Sequence, residues 1–385
     1  MSLALPNQRH LFDIPDHVSY LNAAALGPLP KCSVAAGTAG LARKAQPWDM
    51  TSAEFFTDTK RLRPKLAQLI GADTEGIAFC ASASYGLATA ARNLDIRSDQ
   101  SILTLADQFP SNIYVWRDLA AQTGAHVQTV GDAETNQSLS DQILSAIGPK
   151  TAIVACPQVR WTDGARLDLE AIGARARDVG AALVLDLSQS CGAMPFDVRT
   201  VKPDFAVCVG YKWLLGPYSA GFMYAAPHRR GGVPLEHNWI SREGAADFTK
   251  LTEYTDRFAP GAERYDMGER SNFALLPALE ASLDLLLDFG IDAIEATLAE
   301  KTAGLSDALE EIGLPCPPEA ERGAHYLGAT LPETAPGDLV QRLAALDVHV
   351  SRRANCLRIT PHIYNTQDDL DRCIAALLDT LAVKS

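Results

Sequence analysis

The fold is decided by residues 182–217, which read ALVLDLSQSCGAMPFDVRTVKPDFAVCVGYKWLLGP. This stretch holds two short apolar runs, Ala182–Asp186 and Phe205–Val209, and polar or glycine residues follow each of them. Nearly continuous apolar runs of this length predict strands of a parallel or mixed sheet that is buried on both faces. Ligands of such sheets bind beyond the carboxyl ends of the strands. We therefore expect Asp186 and Lys212 to line one crevice.

The same alternation of apolar runs and amphipathic stretches continues on both sides of this region. Further strands are predicted at Ile77–Cys80, Ser101–Leu105, Ala152–Ala155 and Gly221–Tyr224, and helices at Phe55–Leu69, Tyr85–Asn93, Val115–Thr123 and Leu169–Val179. Strands that alternate with helices predict an α/β fold with helices on both faces of the sheet.

Beyond residue 270 the pattern predicts a smaller α/β domain. Helices are predicted at Leu275–Phe289, Ile294–Ile312 and Gln367–Leu381, and strands near His325–Leu331, Val348–Ser351 and Cys356–Ile359. We expect an N-terminal segment, 1–30, that packs on the small domain, a large domain over 31–265, and the small domain over 266–385.

The 385-residue chain is acidic, with a formal net charge of −13. This charge argues against nucleic acid and anionic membrane surfaces as partners, because both require a basic patch. The eight cysteines have neither C-x-x-C nor zinc-ligand spacing, so we expect no metal site and a reduced, cytoplasmic protein. No stretch is apolar over a membrane-spanning length, and residues 1–16 lack the pattern of a signal peptide.

Lys212 lies in the sequence GYKWLLGP, residues 210–217, directly after a predicted strand. Its aromatic and leucine neighbours would partly remove the amine from water, which lowers its pKa and favours imine formation. The alternative is a lysine whose stem covers an apolar loop while its ammonium group reaches solvent.

Asp186 ends a buried strand, where an unpaired carboxylate is costly. One natural partner is a pyridinium nitrogen, and an aspartate there keeps pyridoxal 5′-phosphate (PLP) protonated as an electron sink. Capping of the following turn is the alternative. Gln189 could donate its amide to the ring oxygen, or it could be a solvated loop residue. Because Asp186 and Lys212 are one β-α-β step apart, together they indicate PLP more specifically than either does alone.

Three further features would complete such a site. Ser82 and Ser84 lie in a turn of small residues before a helix, whose N-terminus could bind phosphate or simply be capped by serine. Phe109 could stack on a planar ring or belong to the core. Arg358, in an apolar strand, could bind the carboxylate of an amino acid or form an internal salt bridge.

In this order, these residues resemble the PLP-dependent aminotransferase class V family, which includes cysteine desulfurases, selenocysteine lyases, kynureninases and isopenicillin-N-epimerase-like proteins. The resemblance runs from 20–28 (YLNAAALGP) to 358–366 (RITPHIYNT) and is strongest at 186–192 (DLSQSCG) and 211–217 (YKWLLGP). It implies the PLP-dependent transferase fold type I. In that fold a large domain with a mainly parallel seven-stranded sheet carries a smaller C-terminal α/β domain.

The resemblance also implies roles for individual residues. Lys212 would hold PLP as a Schiff base, while Asp186 and Gln189 would hold the ring nitrogen and the ring oxygen. The residues implied around the cofactor are also Ser82, Ala83, Ser84, Phe109, Tyr211 and Ser271, and those implied around the substrate are Asn22, Ala24, Trp161, Asn272 and Arg358. A homodimer is implied too, in which residues 268–272 (GERSN) reach the active site of the neighbouring subunit.

The sequence departs from the desulfurase pattern in one place that matters. Cysteine desulfurases carry a nucleophilic cysteine in a mobile loop ahead of the carboxylate-binding arginine, and the span from Arg352 to Arg358 leaves no room for such a loop. Cys356 falls on a predicted strand, so a persulfide-forming desulfurase is not expected. Phe109 stands where desulfurases have histidine and kynureninases have phenylalanine.

The sequence therefore predicts a PLP-dependent aminotransferase or lyase that acts at the α-carbon of an amino acid. The alternatives are an amino-acid epimerase or racemase, and a non-catalytic binding protein on the same scaffold. The absence of a G-x-G-x-x-G turn after the first strand disfavours a dinucleotide-dependent dehydrogenase.

Overall fold

The computed structural model describes residues 3–131 and 137–381. Its strands are β1 (Ser19–Tyr20), β2 (Ile77–Cys80), β3 (Ser101–Leu105), β4 (His126–Val130), β5 (Thr151–Pro157), β6 (Ala182–Asp186), β7 (Phe205–Val209), β8 (Gly221–Ala225), β9 (Leu327–Thr330), β10 (Val348–His349), β11 (Ser351–Arg353) and β12 (Cys356–Ile359). Its α-helices are α1 (Lys31–Arg43), α2 (Glu54–Leu69), α3 (Ala83–Arg92), α4 (Ser111–Thr123), α5 (Leu139–Ala146), α6 (Leu169–Asp178), α7 (Val198–Val201), α8 (Leu275–Phe289), α9 (Ile291–Glu311), α10 (Leu339–Ala344) and α11 (Gln367–Leu381).

A seven-stranded sheet in the order β2-β8-β7-β6-β5-β3-β4 forms the centre of the larger part. The strands from β7 to β4 are parallel, and β8 runs antiparallel to both β7 and β2. The short connection from β7 to β8 makes that pair antiparallel, because a parallel crossover needs a dozen or more residues. The predicted fold, a mainly parallel seven-stranded sheet with a smaller C-terminal α/β part, is confirmed.

Both faces of the central strands are buried, which explains their continuous apolar sequences. Leu183 and Leu185 of β6 belong to one hydrophobic core, and Ala182 and Val184 belong to the core on the opposite face. This division follows from the alternation of side chains along a strand. Helices therefore cover the sheet on both sides, and the chemistry is confined to its edges.

The smaller part contains a three-stranded antiparallel sheet in the order β11-β12-β9. The predicted single strand Val348–Ser351 is wrong, because the chain changes partners at Val350: β10 pairs with β1, whereas β11 pairs with β12. The parallel pairing of β1 with β10 places the N-terminal segment beside this sheet. The proposed domain boundaries at residues 30 and 265 stay predictions.

Helix α9 joins the two cores. Ile294 and Leu298 in its first half lie in the large core, and Leu305 and Leu309 in its second half lie in the small one. Helix α8 packs against α1 and α2 of the larger part. No helix in the described ranges combines the length and the apolar character needed to cross a membrane.

Candidate active site

Lys212 lies in the connection between β7 and β8, whose backbone is tightly fixed. The Gly210 N–H donates to the Ala220 carbonyl at 2.8 Å, which closes the base of this connection. Leu215 and Ser219 adopt left-handed conformations, with φ of +53° and +63°. A backbone held in this way fixes the position of the Lys212 Cα atom, from which the side chain extends.

The amine of Lys212 is buried at the carboxyl edge of the sheet, and its side chain is 7% exposed. Nζ lies 5.3 Å from the ring centre of Phe109 and 5.8 Å from that of Tyr211. Burial lowers the pKa of this amine, the negative charge of Asp186 opposes the shift, and the positive charge of Arg358 adds to it. The direction of this shift agrees with the partial removal of the amine from water that the sequence indicates.

Asp186 lies at the end of β6 and is also 7% exposed. The hydrogen bond found for its carboxylate within the described residues comes from the Ser188 N–H at 3.0 Å. The predicted turn-capping role is thus present, and it uses one oxygen. The carboxylate still lines the cavity that contains Lys212, so it remains available to a cation there.

The side-chain amide of Gln189 is oriented by two neighbours. Its Nε2 donates to the Ala24 carbonyl at 3.0 Å, and its Oε1 accepts from the Trp213 indole N–H at 3.0 Å. The buried His325 fixes its backbone, because Nε2 of that ring donates to the Gln189 carbonyl at 2.6 Å. One Nε2 proton remains for a ring oxygen. Ala24, predicted to contact substrate, holds Gln189 in this structure.

Helix α3 begins at the edge of the same cavity. The Ser82 hydroxyl caps the helix by accepting from the Tyr85 N–H at 3.2 Å, and it lies 2.9 Å from the Ser84 hydroxyl. At Gly86 a β-carbon would lie 2.5 Å from a methyl group of Val207, so glycine lets α3 approach β7 closely. This approach places the helix N-terminus, with its free amide groups, near the lysine.

Trp161 and Arg358 form the wall between the large sheet and the small one. The indole N–H of Trp161 donates to the Asp107 carbonyl at 2.6 Å, and its ring meets Phe109 edge-to-face at 5.4 Å. Arg358 is 1% exposed; it donates to the Trp161 carbonyl at 2.9 Å and to the Ser351 hydroxyl at 2.7 and 2.9 Å. The ion pairs of the described chain do not include Arg358, so the internal salt bridge considered from the sequence is not formed there.

Most of these residues line one cavity of about 310 Å³, whereas Arg358 donates to the backbone of the wall residue Trp161 and does not line the cavity itself. The predicted site residues that line it are Ser82, Ala83, Ser84, Phe109, Trp161, Asp186, Gln189, Tyr211 and Lys212. The volume suits a small cofactor together with part of a substrate.

Comparison with known proteins identifies the family. The profile of the class V aminotransferases matches residues 20–373. The chain belongs to the class V aminotransferase family.

Individual relatives of this class V enzyme agree with that assignment. The chain is 30% identical to a kynureninase of Deinococcus radiodurans over 96% of its own length and 84% of the relative's. It is 26% identical to isopenicillin N epimerase of Streptomyces clavuligerus, over 94% of each chain. Among solved structures, a mutant of C-DES with glycine covalently linked to its PLP cofactor superposes with a TM-score of 0.89 at 21% identity, over 97% of this chain and 100% of the other.

The family is PLP-dependent, and the cavity of this class V enzyme fits PLP. It offers a buried amine for the aldehyde, a buried carboxylate for the ring nitrogen and a helix N-terminus for the phosphate. Phe109 presents its ring beside Lys212, where a planar cofactor would stack. The donor set therefore matches the cofactor group by group, and the enzyme is PLP-dependent.

Five residues predicted at the site do not line this cavity: Asn22, Ala24, Ser271, Asn272 and Arg358. The Ser271 hydroxyl donates to the Phe55 carbonyl, and the Asn272 carboxamide accepts from the N–H of Leu275 at the start of α8. The Oδ1 atom of Asn22 is buried without a hydrogen-bond partner among the described residues. A role of Ser271 and Asn272 in the site of a neighbouring subunit stays a prediction.

The cavity region also contains residues that the sequence did not single out. Tyr218 packs against Tyr211 in a tilted arrangement with the ring centres 4.4 Å apart, and it lines the cavity although its side chain is largely exposed. Trp213 holds Gln189, and Arg353 lies over the ring of Trp161 at 5.3 Å. Trp213 could have been recognised from the apolar environment of Lys212. Arg353 could be placed only once the strand register was known.

Proposed function

We propose that this class V enzyme removes a proton from the α-carbon of an amino acid with Lys212 as the proton carrier, in an aminotransferase or lyase reaction. The observation that supports this most is the buried Lys212 amine in one cavity with Asp186. PLP, held by Lys212 as a Schiff base, would supply a ring that stabilises negative charge at the α-carbon.

The position of each residue around the cavity suggests a separate role in binding or proton transfer. Asp186 would accept a hydrogen bond from the ring nitrogen and Gln189 would donate one to the ring oxygen. Arg358 would bind the α-carboxylate, because its guanidinium is buried and has no acidic partner in the described residues. Once released by substrate, the Lys212 amine would take and return the proton, and the lowering of its pKa by burial favours that role.

A persulfide mechanism is not part of this proposal. Cys356 lies on β12, within the small sheet, and pairs in register with Arg353. Burial and the negative charge of Asp163 raise the pKa of its thiol to about 12. A thiol held on a strand and protonated at neutral pH is a poor nucleophile.

Epimerisation is the second candidate, because isopenicillin N epimerase is among the relatives. A two-base epimerase needs a second proton carrier across the substrate from the lysine. Apart from Lys212, the titratable residues that line the cavity in the described chain are Asp186, Tyr211 and Tyr218. Burial and the neighbouring Tyr218 raise the pKa of Tyr211 to about 12. The lysine is thus the base best suited to neutral pH, and we favour proton transfer on one face.

We also propose that the enzyme is a cytoplasmic homodimer. The eight cysteines are all free thiols and five of them are buried, which suits a reducing compartment. A dimer would give Ser271 and Asn272 a route to a second active site. Light scattering should report twice the chain mass, and a fully active monomer would contradict this part of the proposal.

The decisive experiment is the visible absorption spectrum of the purified protein, before and after addition of single L- and D-amino acids. The wild type should show a cofactor band that one amino acid shifts, and Lys212→Ala should lose both the covalent band and turnover. The exposed Lys44 provides a matched control, and Lys44→Ala should behave like the wild type.

The product identifies the reaction. A keto acid with pyridoxamine phosphate indicates transamination, ammonia with a cleaved fragment indicates a lyase, and the mirror-image amino acid indicates an epimerase. If Lys212→Ala kept full turnover, the proposed mechanism would be wrong.

A further inference from the structure

One face of the small sheet carries two arginines toward the active site. In the antiparallel register of β11 and β12, Ser351 pairs with Arg358 and Arg353 pairs with Cys356. Paired residues share a face, and so do residues two apart along a strand. Arg353 and Arg358 therefore project from the same face of this sheet.

Trp161 connects that face to the lysine. The guanidinium carbons of Arg353 and Arg358 lie 5.3 and 5.9 Å from its ring centre. The same ring meets Phe109, which lies 5.3 Å from Lys212 Nζ. Two aromatic rings, those of Phe109 and Trp161, thus connect the amine to the guanidinium groups, whose positive charges both lower the pKa of the amine.

The two arginines differ in how many of their N–H donors already form hydrogen bonds within the protein. Arg358 is fully buried and donates to Ser351 and to the Trp161 carbonyl. Arg353 is half-buried, and the hydrogen bond found for it in the described residues is one to the Arg352 carbonyl at 2.7 Å. It therefore keeps most of its five N–H donors for a ligand.

Neither arginine has a carboxylate within salt-bridge distance in the described part of the chain. By contrast, the nearby Arg160 pairs with Asp163. Burial and the positive charge of Arg358 lower the pKa of Arg353, as expected for two like charges without an anion between them. Neither arginine lines the cavity itself, and both lie against Trp161, which does. In a chain with a net charge of −13, an unneutralised pair of cations next to this wall residue favours anionic groups on the substrate.

We propose that Arg353 is a specificity-determining residue that binds a second carboxylate, at the end of the substrate's side chain, while Arg358 binds the α-carboxylate. The substrate class is therefore an acidic amino acid with a side-chain carboxylate. This inference rests on the proposed function, since it assigns the substrate of the same site.

The test compares acids with their isosteric amides on the PLP-loaded enzyme. L-Glutamate is paired with L-glutamine and L-aspartate with L-asparagine. The spectral shift on titration gives Kd, and product formation gives kcat/KM. A charge-assisted hydrogen bond corresponds to a preference of roughly 10- to 100-fold for the acid over its amide. We expect a preference of that size in the wild type for at least one pair.

Arg353→Gln should abolish this preference in Kd, and Arg353→Lys should restore part of it. Arg352 is the matched control, because it lies on the opposite face of β11 and donates to the Ala354 and Pro336 carbonyls. Arg352→Gln should keep the wild-type preference.

Two results would overturn the inference while leaving the proposed function intact: a wild type that binds amides as tightly as acids, or an Arg353→Gln variant that weakens both members of a pair equally. A protein whose spectrum no amino acid changes would overturn the proposed function itself.

Discussion

Replacing Gly27 with alanine tests how Lys212 is positioned. The Gly27 N–H donates to the Tyr211 carbonyl at 2.8 Å, so the N-terminal segment lies directly against the lysine-bearing connection. A β-carbon on Gly27 would lie 2.1 Å from the Lys212 carbonyl oxygen and 3.2 Å from a methyl group of Leu215. Real β-carbons essentially never come closer than 3.0 Å to such atoms, so the lysine backbone would have to move by about 0.9 Å.

The expected effect follows from that displacement. Overpacking of a buried contact costs about 1–3 kcal/mol in the free energy of unfolding. A displacement of close to 1 Å at a reacting group costs about 100-fold in rate. We therefore expect Gly27→Ala to lower both Tm and kcat, with the larger effect on kcat.

The assay combines thermal unfolding, the absorption band of bound PLP, and kcat with an amino acid that shifts this band. Gly148→Ala is the matched control, because nothing lies within 4 Å of a β-carbon there and the backbone is not left-handed. If Gly27→Ala matched Gly148→Ala in both Tm and kcat, the N-terminal segment would not set the position of the lysine.

Three further predictions concern charge and protonation. Burial is the main cause of the lowered pKa of Lys212; the negative charge of Asp186 opposes this shift and the positive charge of Arg358 adds to it. Asp186→Asn should therefore lower this pKa further, and Arg358→Met should raise it. The pH dependence of lysine modification in the apoprotein measures both effects. An unchanged pH profile in both variants would contradict the charge arrangement. Cys356→Ser should retain turnover, and a persulfide trapped on this residue in the wild type would contradict the proposed mechanism. Burial lowers the pKa of His325 to about 4, whereas the unfolded chain protonates this residue near pH 6.5. The free energy of unfolding should therefore fall by about 3 kcal/mol as the pH decreases from 6.5 to 4. Urea unfolding at a series of pH values measures this loss. His325→Gln should flatten that dependence.

The sequence predicted the central strands well because their environment is uniform. Strands buried on both faces, such as β6 and β7, are continuously apolar and end where the polar residues begin. The edge strand β4 was not predicted, because its sequence HVQTV is polar and its residues are only partly buried. Short helices such as α7 and α10 were also not predicted, since four to six residues hold little periodic signal.

Some residues of the candidate site could be predicted from the sequence and others could not. Lys212 and Asp186 follow strands whose ends can be read from the sequence, so their meeting could be predicted. The contacts of Gln189 with Ala24 and Trp213 join distant segments, and local pattern does not contain such information. Arg353 depends on the register of β11 against β12, which a turn of two residues sets.

Helix α9 has a consequence for the way the protein melts. At 1.5 Å per residue its 21 residues span about 31 Å, and its two halves are buried in different cores. If either core unfolded, leucine or isoleucine side chains of α9 would become exposed, although the other half of the same helix is still packed in the remaining core. We expect the larger and smaller parts to unfold in one cooperative transition, so tryptophan fluorescence and far-ultraviolet circular dichroism should give the same midpoint.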